Sequence, residues 1–495
     1  METEDRMNSR KTAPVTVGVD LGTQSVRVAL LDEDGAVAAS ASAPLKSIRP
    51  GDARHEQDPE DWWETLRKVA RRALSGLGDV PVDGLAVCST SGTALLADGN
   101  GDPLTPAIMY DDGRAAEQAL AAQEAGEEIW EALGYRISGS YALPRLLWFL
   151  QNGFGRGAAR MMHSADFVIS RLAGEPLATD WSHALKTGYD LVGERWPEQV
   201  FERLEIPLEL LPPVVRPGTR VGEVCRKAAR YTGIPAGTPI RAGMTDSCAA
   251  QIAAGALEEG SWNSVLGTTL ALKGVSRELL RDPAGSVYCH RHPDGGWLPG
   301  GASSTGAGVI SQMFPGDDLD ELGERALENG PARAVFYPLA GRGERFPFAR
   351  PDAEGFWVGQ PEDDADRFRA VLEGVAFVER LCFAHLETLG ATVSGPISAT
   401  GGGAKSRPWS QIRADVLGLP VVVPVSAEAS VGMGILARAG EGSVTEAASR
   451  MSRIRWKFEP EGDDGDLAEN FQRLAAAFVE RGYISEDLAR RASMS

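Results

Sequence analysis

Residues 15–39 read VTVGVDLGTQSVRVALLDEDGAVAA, and this stretch decides the fold. Val15, Val17 and Val19 alternate with smaller residues, as do Val26, Val28 and Leu30, which is the period of a strand. Gly22-Thr23 separates the two runs and Asp34-Gly35 supplies a hairpin turn. The pattern predicts strand, glycine turn, strand, tight turn, strand. Asp20 closes the first strand. A carboxylate there, followed by a glycine and hydroxyl-rich turn, can hold a hydrated Mg²⁺, and the turn's N–H groups and hydroxyls can bind phosphate oxygens. The bland alternative is a hairpin that happens to carry a turn Asp.

Further along, a helix is predicted from Pro59 to about Leu77. Asp58 suits its N-cap, Pro59 its first position, and Trp62, Leu66, Val69, Ala70 and Ala73 form one stripe. One of Trp62 and Trp63 is expected in the core; the other could line a ligand cleft. VDGLAVCST (82–90) reads as a short strand running into a loop. GSWNSVLGTTLALKGVS (260–276) again reads strand, Gly-Thr turn, strand, and SATGGGAKSRPWSQIRADVLGLPVVVPV (398–425) reads strand, glycine turn, helix, strand. Two strand–GT–strand hairpins far apart point to a duplicated domain. The predicted boundary lies near residue 257, after SCAAQIAAGAL. PEGDDGD (460–466) is read as a linker and LAENFQRLAAAFVERGY (467–483) as a final helix.

The chain has 495 residues, too many for one core. Its 43% hydrophobic and 24% charged residues are those of a globular protein, not a disordered one. Asp plus Glu number 69 against 50 Lys plus Arg, a net charge of −19. That field repels phosphate backbones and anionic lipid, so nucleic acid and membrane surfaces are poor partners. The five cysteines are scattered with no C-x-x-C, which reads as free thiols in a reducing compartment. No apolar run approaches ~18 residues. The N-terminal METEDRMNSRKTA is acidic and polar and is read as a loose tail, so a cytoplasmic location is expected.

LGTT (266–269) would give a second set of phosphate-binding hydroxyls and amides. The loop Gly401-Gly402-Gly403-Ala404-Lys405-Ser406 follows a strand and opens a helix, where glycines allow close approach and the helix N-terminus favours anions. A lone glycine triplet is often only a turn; three such loops in one chain point to a nucleotide.

VGVDLGTQSVRVALLD, EQDPEDWWE, PAIMYDDGRA, GMTDSCAAQIAAG, VLGTT and TGGGAKSRPWSQIRADVLG follow one another in this order. Together they resemble the FGGY family of carbohydrate kinases across residues 15–455. The resemblance implies an α/β fold of two ribonuclease-H-like (actin-like ATPase) domains, with ATP and sugar bound in an interdomain cleft. It implies an N-terminal domain over 14–257 on the sugar and phosphate-loop side, a C-terminal domain over 258–455 on the adenine-nucleotide side, and a linker and helix over 456–495. Asp20 then resembles the Mg²⁺-linked carboxylate, also placed beside the substrate. Thr23, Gln24 and Arg27 resemble the first phosphate loop, and Gly267 and Thr268 the second. Gly402 and Ser406 resemble residues beside the nucleotide, with Gly308 and Gln312 on the same side. Asp246, in Gly243-Met244-Thr245-Asp246, resembles the catalytic base. The chemistry agrees, because a sugar hydroxyl attacks only once its proton has an acceptor. Its plainer role is to cap the helix that follows. Asp112 resembles the carboxylate that binds sugar hydroxyls, with Asp111 the lesser partner and Arg114 a structural ion-pair residue. The expected partners are a small sugar and ATP, and a homodimer is the expected assembly.

Xylulokinases usually carry a Met-His pair where this chain has Ser89-Thr90-Ser91-Gly92-Thr93, and the Arg-Glu pair of glycerol kinases is also missing. The stretches at 165–190, 289–308 and 336–348 resemble D-ribulose kinases. The expected reaction is D-ribulose plus ATP to D-ribulose 5-phosphate plus ADP, with Ser89 and Ser91 as further substrate contacts. D-Xylulose or another FGGY substrate is the alternative. A non-kinase actin-like ATPase or a sugar sensor is the reading from a different class. Cys289, His290 and His292 do not read as a metal cluster, for want of a fourth ligand. His183 reads as a satisfied polar residue rather than a catalytic one.

Overall fold

The structure, a computed structural model, describes residues 13–49, 51, 53–78, 80–462 and 465–494. The expected tail lies outside these residues except for Ala13, and the 460–466 linker is described only in part. The chain forms two compact units. The first contains the chain up to Gly255 together with His290–Gly295 and Ser426–Arg453; the second contains Ala256–Cys289, Gly296–Val425 and the chain from Ile454 on.

In the first unit a six-stranded sheet has the order Arg220–Glu223, Pro239–Arg241, Val82–Ser89, Val15–Leu21, Ser25–Leu31, Val37–Pro44. Val15–Leu21 pairs antiparallel with Ser25–Leu31, which pairs antiparallel with Val37–Pro44. On its other side Val15–Leu21 pairs parallel with Val82–Ser89, which pairs parallel with Pro239–Arg241. In the second unit Trp297–Ala302, Leu270–Gly274, Trp262–Leu266, Ile397–Thr400 and Val421–Pro424 lie side by side in a seven-stranded sheet. There too the first three are joined antiparallel and the last two join in parallel. The duplication suggested by two short hairpins extends to whole sheets.

The predicted first helix runs Pro59–Leu74, and the Asp58 carboxylate accepts from Glu60 N at its N-terminus. It packs on the sheet with both Trp62 and Trp63 buried, so neither lines a cleft. Trp62 Nε1 donates to Gln57 Oε1 at 2.7 Å, which satisfies its one polar atom inside the core.

A single break near residue 257 does not describe the units. Ser426–Arg453, which the sequence reading gives to the second domain, packs in the first. Its helix Ala429–Ala439 lies so close to strand Val15–Leu21 that a Cβ on Gly18 would sit 1.7 Å from Ser430 O. A Cβ on Gly432 would sit 1.8 Å from Ala249 O of helix Asp246–Ala253. Thr16 Oγ1 donates to Gly434 O at 2.9 Å across the same contact. Small residues thus let one helix grip both the strand that ends in Asp20–Leu21 and the helix that begins at Asp246.

The second core is built around the long helix Asp364–Thr388. Arg413 donates to both Glu379 oxygens at 2.8 Å and to Ser264 Oγ at 2.7 Å, all buried. Losing one member of such a pair costs about 3–5 kcal/mol because a charge is left buried alone, so it fixes strand Trp262–Leu266 in place. The chain closes with helices Gly465–Glu480 and Glu486–Met494; the second was not foreseen.

Candidate active site

In the first unit, three parallel strands end side by side. The register pairs Asp20 with Cys88 and Leu21 with Ser89, and Ser89 bridges in parallel to Thr245. Asp20, Ser89 and Asp246 therefore gather at one end of the sheet, outside the carboxyl ends of its parallel strands, where ligand sites of open α/β sheets form. Asp20 is nearly buried and opposite Arg27 in the antiparallel register; Arg27 Nη1 donates to its Oδ2 at 3.0 Å. Burial and then the charge of Asp246 push the Asp20 pKa up to about 6, against the pull of Arg27. Asp246 is the first residue of helix Asp246–Ala253, half-buried, and its Oδ1 accepts from Ser247 N at 2.7 Å. The N-cap is Thr245, so the plainer capping role does not fall to Asp246. Cys88, beneath the pair, is an inert thiol: burial and both carboxylates push its pKa well up.

The Gly22-Thr23-Gln24 turn is held from below. Gln57 Nε2 donates to Thr23 O at 2.7 Å, and Leu45 N donates to Gln24 O at 2.8 Å. Gln24 and Arg27 are exposed, and Thr23 is half-buried.

Two expected substrate contacts are buried away from solvent. Ser89 Oγ lies 2.9 Å from His183 Nε2 and accepts from Ala165 N at 3.2 Å. Both Asp112 oxygens are occupied, by His55 N at 2.6 Å and by Arg114 through Nε at 2.8 Å and Nη2 at 2.7 Å. Its side chain has 0% exposure, while that of Asp111 has 35%. With its oxygens taken by His55 N and by Arg114, this carboxylate is already satisfied inside the protein and not offered to a sugar. The two neighbours sit on a turn, closed by Asp112 N donating to Met109 O at 3.0 Å, and it is Asp111 that faces out. Arg114 has the structural role foreseen for it. Ser91, half-buried on the loop, is the remaining hydroxyl of the pair.

In the second unit, three loops meet at the end of strand Trp262–Leu266. Ala307 N donates to Gly267 O at 2.9 Å and Gly308 N to Thr268 O at 3.1 Å. Gly401 has φ +83°, and a Cβ there would lie 2.6 Å from Leu266 O. Gly402 has nothing within 4 Å of a built Cβ, so its outer face is open. Thr268 and Gln312 are exposed, and Ser406 caps helix Arg407–Leu417 by accepting from Trp409 N at 3.3 Å. Gly267, Thr268 and Gly308 thus meet the 401–406 loop, with Gly402 and Ser406, at one strand end, while Gln312 lies one turn along helix Gly308–Met313.

Residues 15–253 match the model of the FGGY family of carbohydrate kinases, N-terminal domain, and residues 263–440 match that of its C-terminal domain. The chain belongs to the FGGY family. It is 30% identical over 464 residues to a xylulose kinase of Streptomyces coelicolor, covering 90% of this chain and 92% of the relative. It is 26% identical over 483 residues to a xylulose kinase of Bacillus subtilis, covering 93% and 95%. The crystal structure of xylulose kinase from Rhodospirillum rubrum superposes with a TM-score of 0.84 at 25% identity, covering 94% of this chain and 99% of that one. The chain is accordingly an ATP-dependent sugar kinase with the two-domain α/β fold of this family. Among the described residues no helix is long and apolar enough to cross a membrane.

Beside the expected FGGY positions stand groups that the sequence reading missed. His55 Nδ1 lies 2.6 Å from Asp111 Oδ1, and Arg49 Nη2 donates to Asp111 Oδ2 at 3.2 Å. Asp180 caps the short helix Trp181–Leu185, taking Ser182 N at 2.8 Å and His183 N at 3.1 Å. The Asp-x-Ser-His run was the available signal, since an Asp two and three residues before N–H donors is an N-cap. Cys289, His290 and His292 form no metal group, and none of three or more His, Cys, Asp and Glu occurs among the described residues.

Proposed function

We propose that the chain transfers the terminal phosphoryl group of ATP to position 5 of a pentulose, with D-ribulose as the preferred sugar and Asp246 as the general base. The observation that carries this reading is the pair Asp20 and Asp246, gathered at one end of the sheet on either side of strand Val82–Ser89, closely enough for one charge to raise the pKa of the other. Two carboxylates so placed divide their work: the half-exposed one can take a hydroxyl proton, and the buried one meets the phosphate side. The mutual repulsion suits a divalent cation, and Asp20 is the residue that would hold Mg²⁺. Bound there, Mg²⁺ would supply charge neutralisation to the phosphates; with no closed protein cage, phosphate oxygens and water would complete its shell. In the first unit Thr23, Gln24 and Arg27 are the residues that would bind phosphate. In the second unit Gly267, Thr268, Gly308, Gln312, Gly402 and Ser406 are those that would bind nucleotide.

Relatives named xylulose kinase support a pentulose and make D-xylulose the competitor. The preference for D-ribulose rests on Ser-Thr-Ser-Gly-Thr at 89–93 in place of a Met-His pair and on the middle stretches that resemble D-ribulose kinases. With Ser89 and Asp112 saturated, Ser91, Asp246 and the outward Asp111 become the readers of sugar hydroxyls. In Asp246→Ala, sugar phosphorylation falls by about 10²–10⁴-fold while ATP binding by calorimetry is retained. Wild-type turnover in that variant would overturn the assignment.

A further inference from the structure

Behind the carboxylate pair lies a buried network that the phosphoryl-transfer reading leaves unused. Asp180 Oδ2 lies 2.6 Å from His183 Nδ1, and His183 Nε2 lies 2.9 Å from Ser89 Oγ. The connectivity is that of a serine, a histidine and an acid, yet it cannot serve nucleophilic catalysis. Ser89 is fully buried and its oxygen is already tied to Ala165 N. The other arm of Asp180 shows where the network leads. Ser182 Oγ donates to Asp180 Oδ1 at 2.6 Å and accepts from Thr245 N at 2.9 Å. Thr245 is the residue before Asp246, and it bridges in parallel to Ser89. One buried carboxylate therefore anchors two strand ends, reaching Asp246 through Ser182 and strand Val82–Ser89 through His183.

We propose that Asp180, Ser182 and His183 form a positioning hub that sets the place of Asp246 for catalysis; this rests on Asp246 being the base. The hub also carries charge. His183 faces Asp180, Asp166 (itself paired to His163 Nδ1 at 2.7 Å) and Asp246. Burial alone would lower its pKa, but these three carboxylates outweigh burial and raise it. A positive charge on His183 would favour the ionised form of a base in front of it. A displacement of about 1 Å far from the chemistry can cost about 100-fold in rate, so small changes in the hub have large consequences.

The test compares Ser182→Ala, His183→Gln and Asp246→Ala with the full-length enzyme. Ser182→Ala and His183→Gln each lower kcat by about 10–100-fold with the KM for ATP within about twofold, and Ser182→Thr restores part of the loss. In His183→Gln the acidic limb of the kcat profile moves to higher pH, because a cation near the base is gone; a purely structural role would leave that limb in place. Added to Asp246→Ala, either change costs nothing further. Ser182→Ala deletes a single oxygen and decides the matter if His183→Gln does not fold. Unchanged kcat and pH profile in the hub variants, with Asp246→Ala inactive, would overturn the hub and leave the base assignment intact. Full activity in Asp246→Ala would overturn both.

Discussion

The hairpins Val15–Leu31 and Trp262–Gly274 are two versions of one device. Both are strand, Gly-Thr turn, strand; both pair antiparallel within and parallel to the next strand outside. VDLGT in the first stands where VLGT in the second has Val265 in place of Asp20. The first turn carries a buried carboxylate opposed by Arg27; the second carries Val265 opposite Ala271. The fold therefore repeats the Gly-Thr turn, whereas the carboxylate and its arginine occur in the first hairpin and not in the second. A hydrogen-bonding loop needs only backbone amides and a hydroxyl. A buried carboxylate at a strand end can in addition manage a cation or a proton.

The most severe way to break the difference is to erase it. Asp20→Val, which makes the first hairpin chemically like the second, lowers kcat by about 100-fold or more. Asp20→Asn keeps residual activity with a higher Mg²⁺ requirement, read from a Mg²⁺ titration; an unchanged titration would make Asp20 structural. On the second hairpin, Thr268→Val removes one hydroxyl and raises the KM for ATP by about 3–10-fold, with the sugar KM unchanged. An equal rise in both constants would argue against a nucleotide role for that turn.

The smallest effect is on stability and has a definite sign. Asp20 titrates near 6 in the fold against an ordinary 3.8. The folded state therefore binds more protons between those values, and stability falls as pH rises from about 4 to 6. Asp20→Asn removes this cost. Its melting temperature at pH 7 rises by about 1–2 °C, on the order of 1 kcal/mol, with little gain at pH 4. A gain of the same size at both pH values would mean that the carboxylate charge is not the cause.

The features legible in the sequence are those set by near neighbours. Alternation and Gly-Thr gave both hairpins, and Asp58-Pro59 gave the start of the first helix. The glycines of 401–403 gave a loop whose open face is now visible at Gly402. The misreadings come from partners distant in the chain. Asp112 is saturated partly by His55, and Ser89 by His183, residues 57 and 94 positions away. No local period reports such pairs. The return of Ser426–Arg453 to the first unit is hidden for a related reason: the glycines at 18 and 432 that permit it look like ordinary small residues until two backbones are seen to meet there. Neither tryptophan is left over for a cleft, because the buried stripe of the helix is wider than one row and both fall within it.

The central claim, a pentulose kinase whose chemistry resides in the Asp20–Asp246 pair, is tested most directly by sugar-dependent ADP release. D-Ribulose, D-xylulose, L-ribulose, ribitol and glycerol are compared side by side, and the phosphorylated carbon is located by ³¹P–¹H correlation. The pentuloses are expected to exceed ribitol and glycerol, and D-ribulose to lead D-xylulose by at least about tenfold in kcat/KM, which needs only ~1.4 kcal/mol between two epimers. Phosphate is predicted at position 5. D-Xylulose in first place would overturn the choice of epimer. ADP release indifferent to the sugar, or highest with glycerol, would contradict the account.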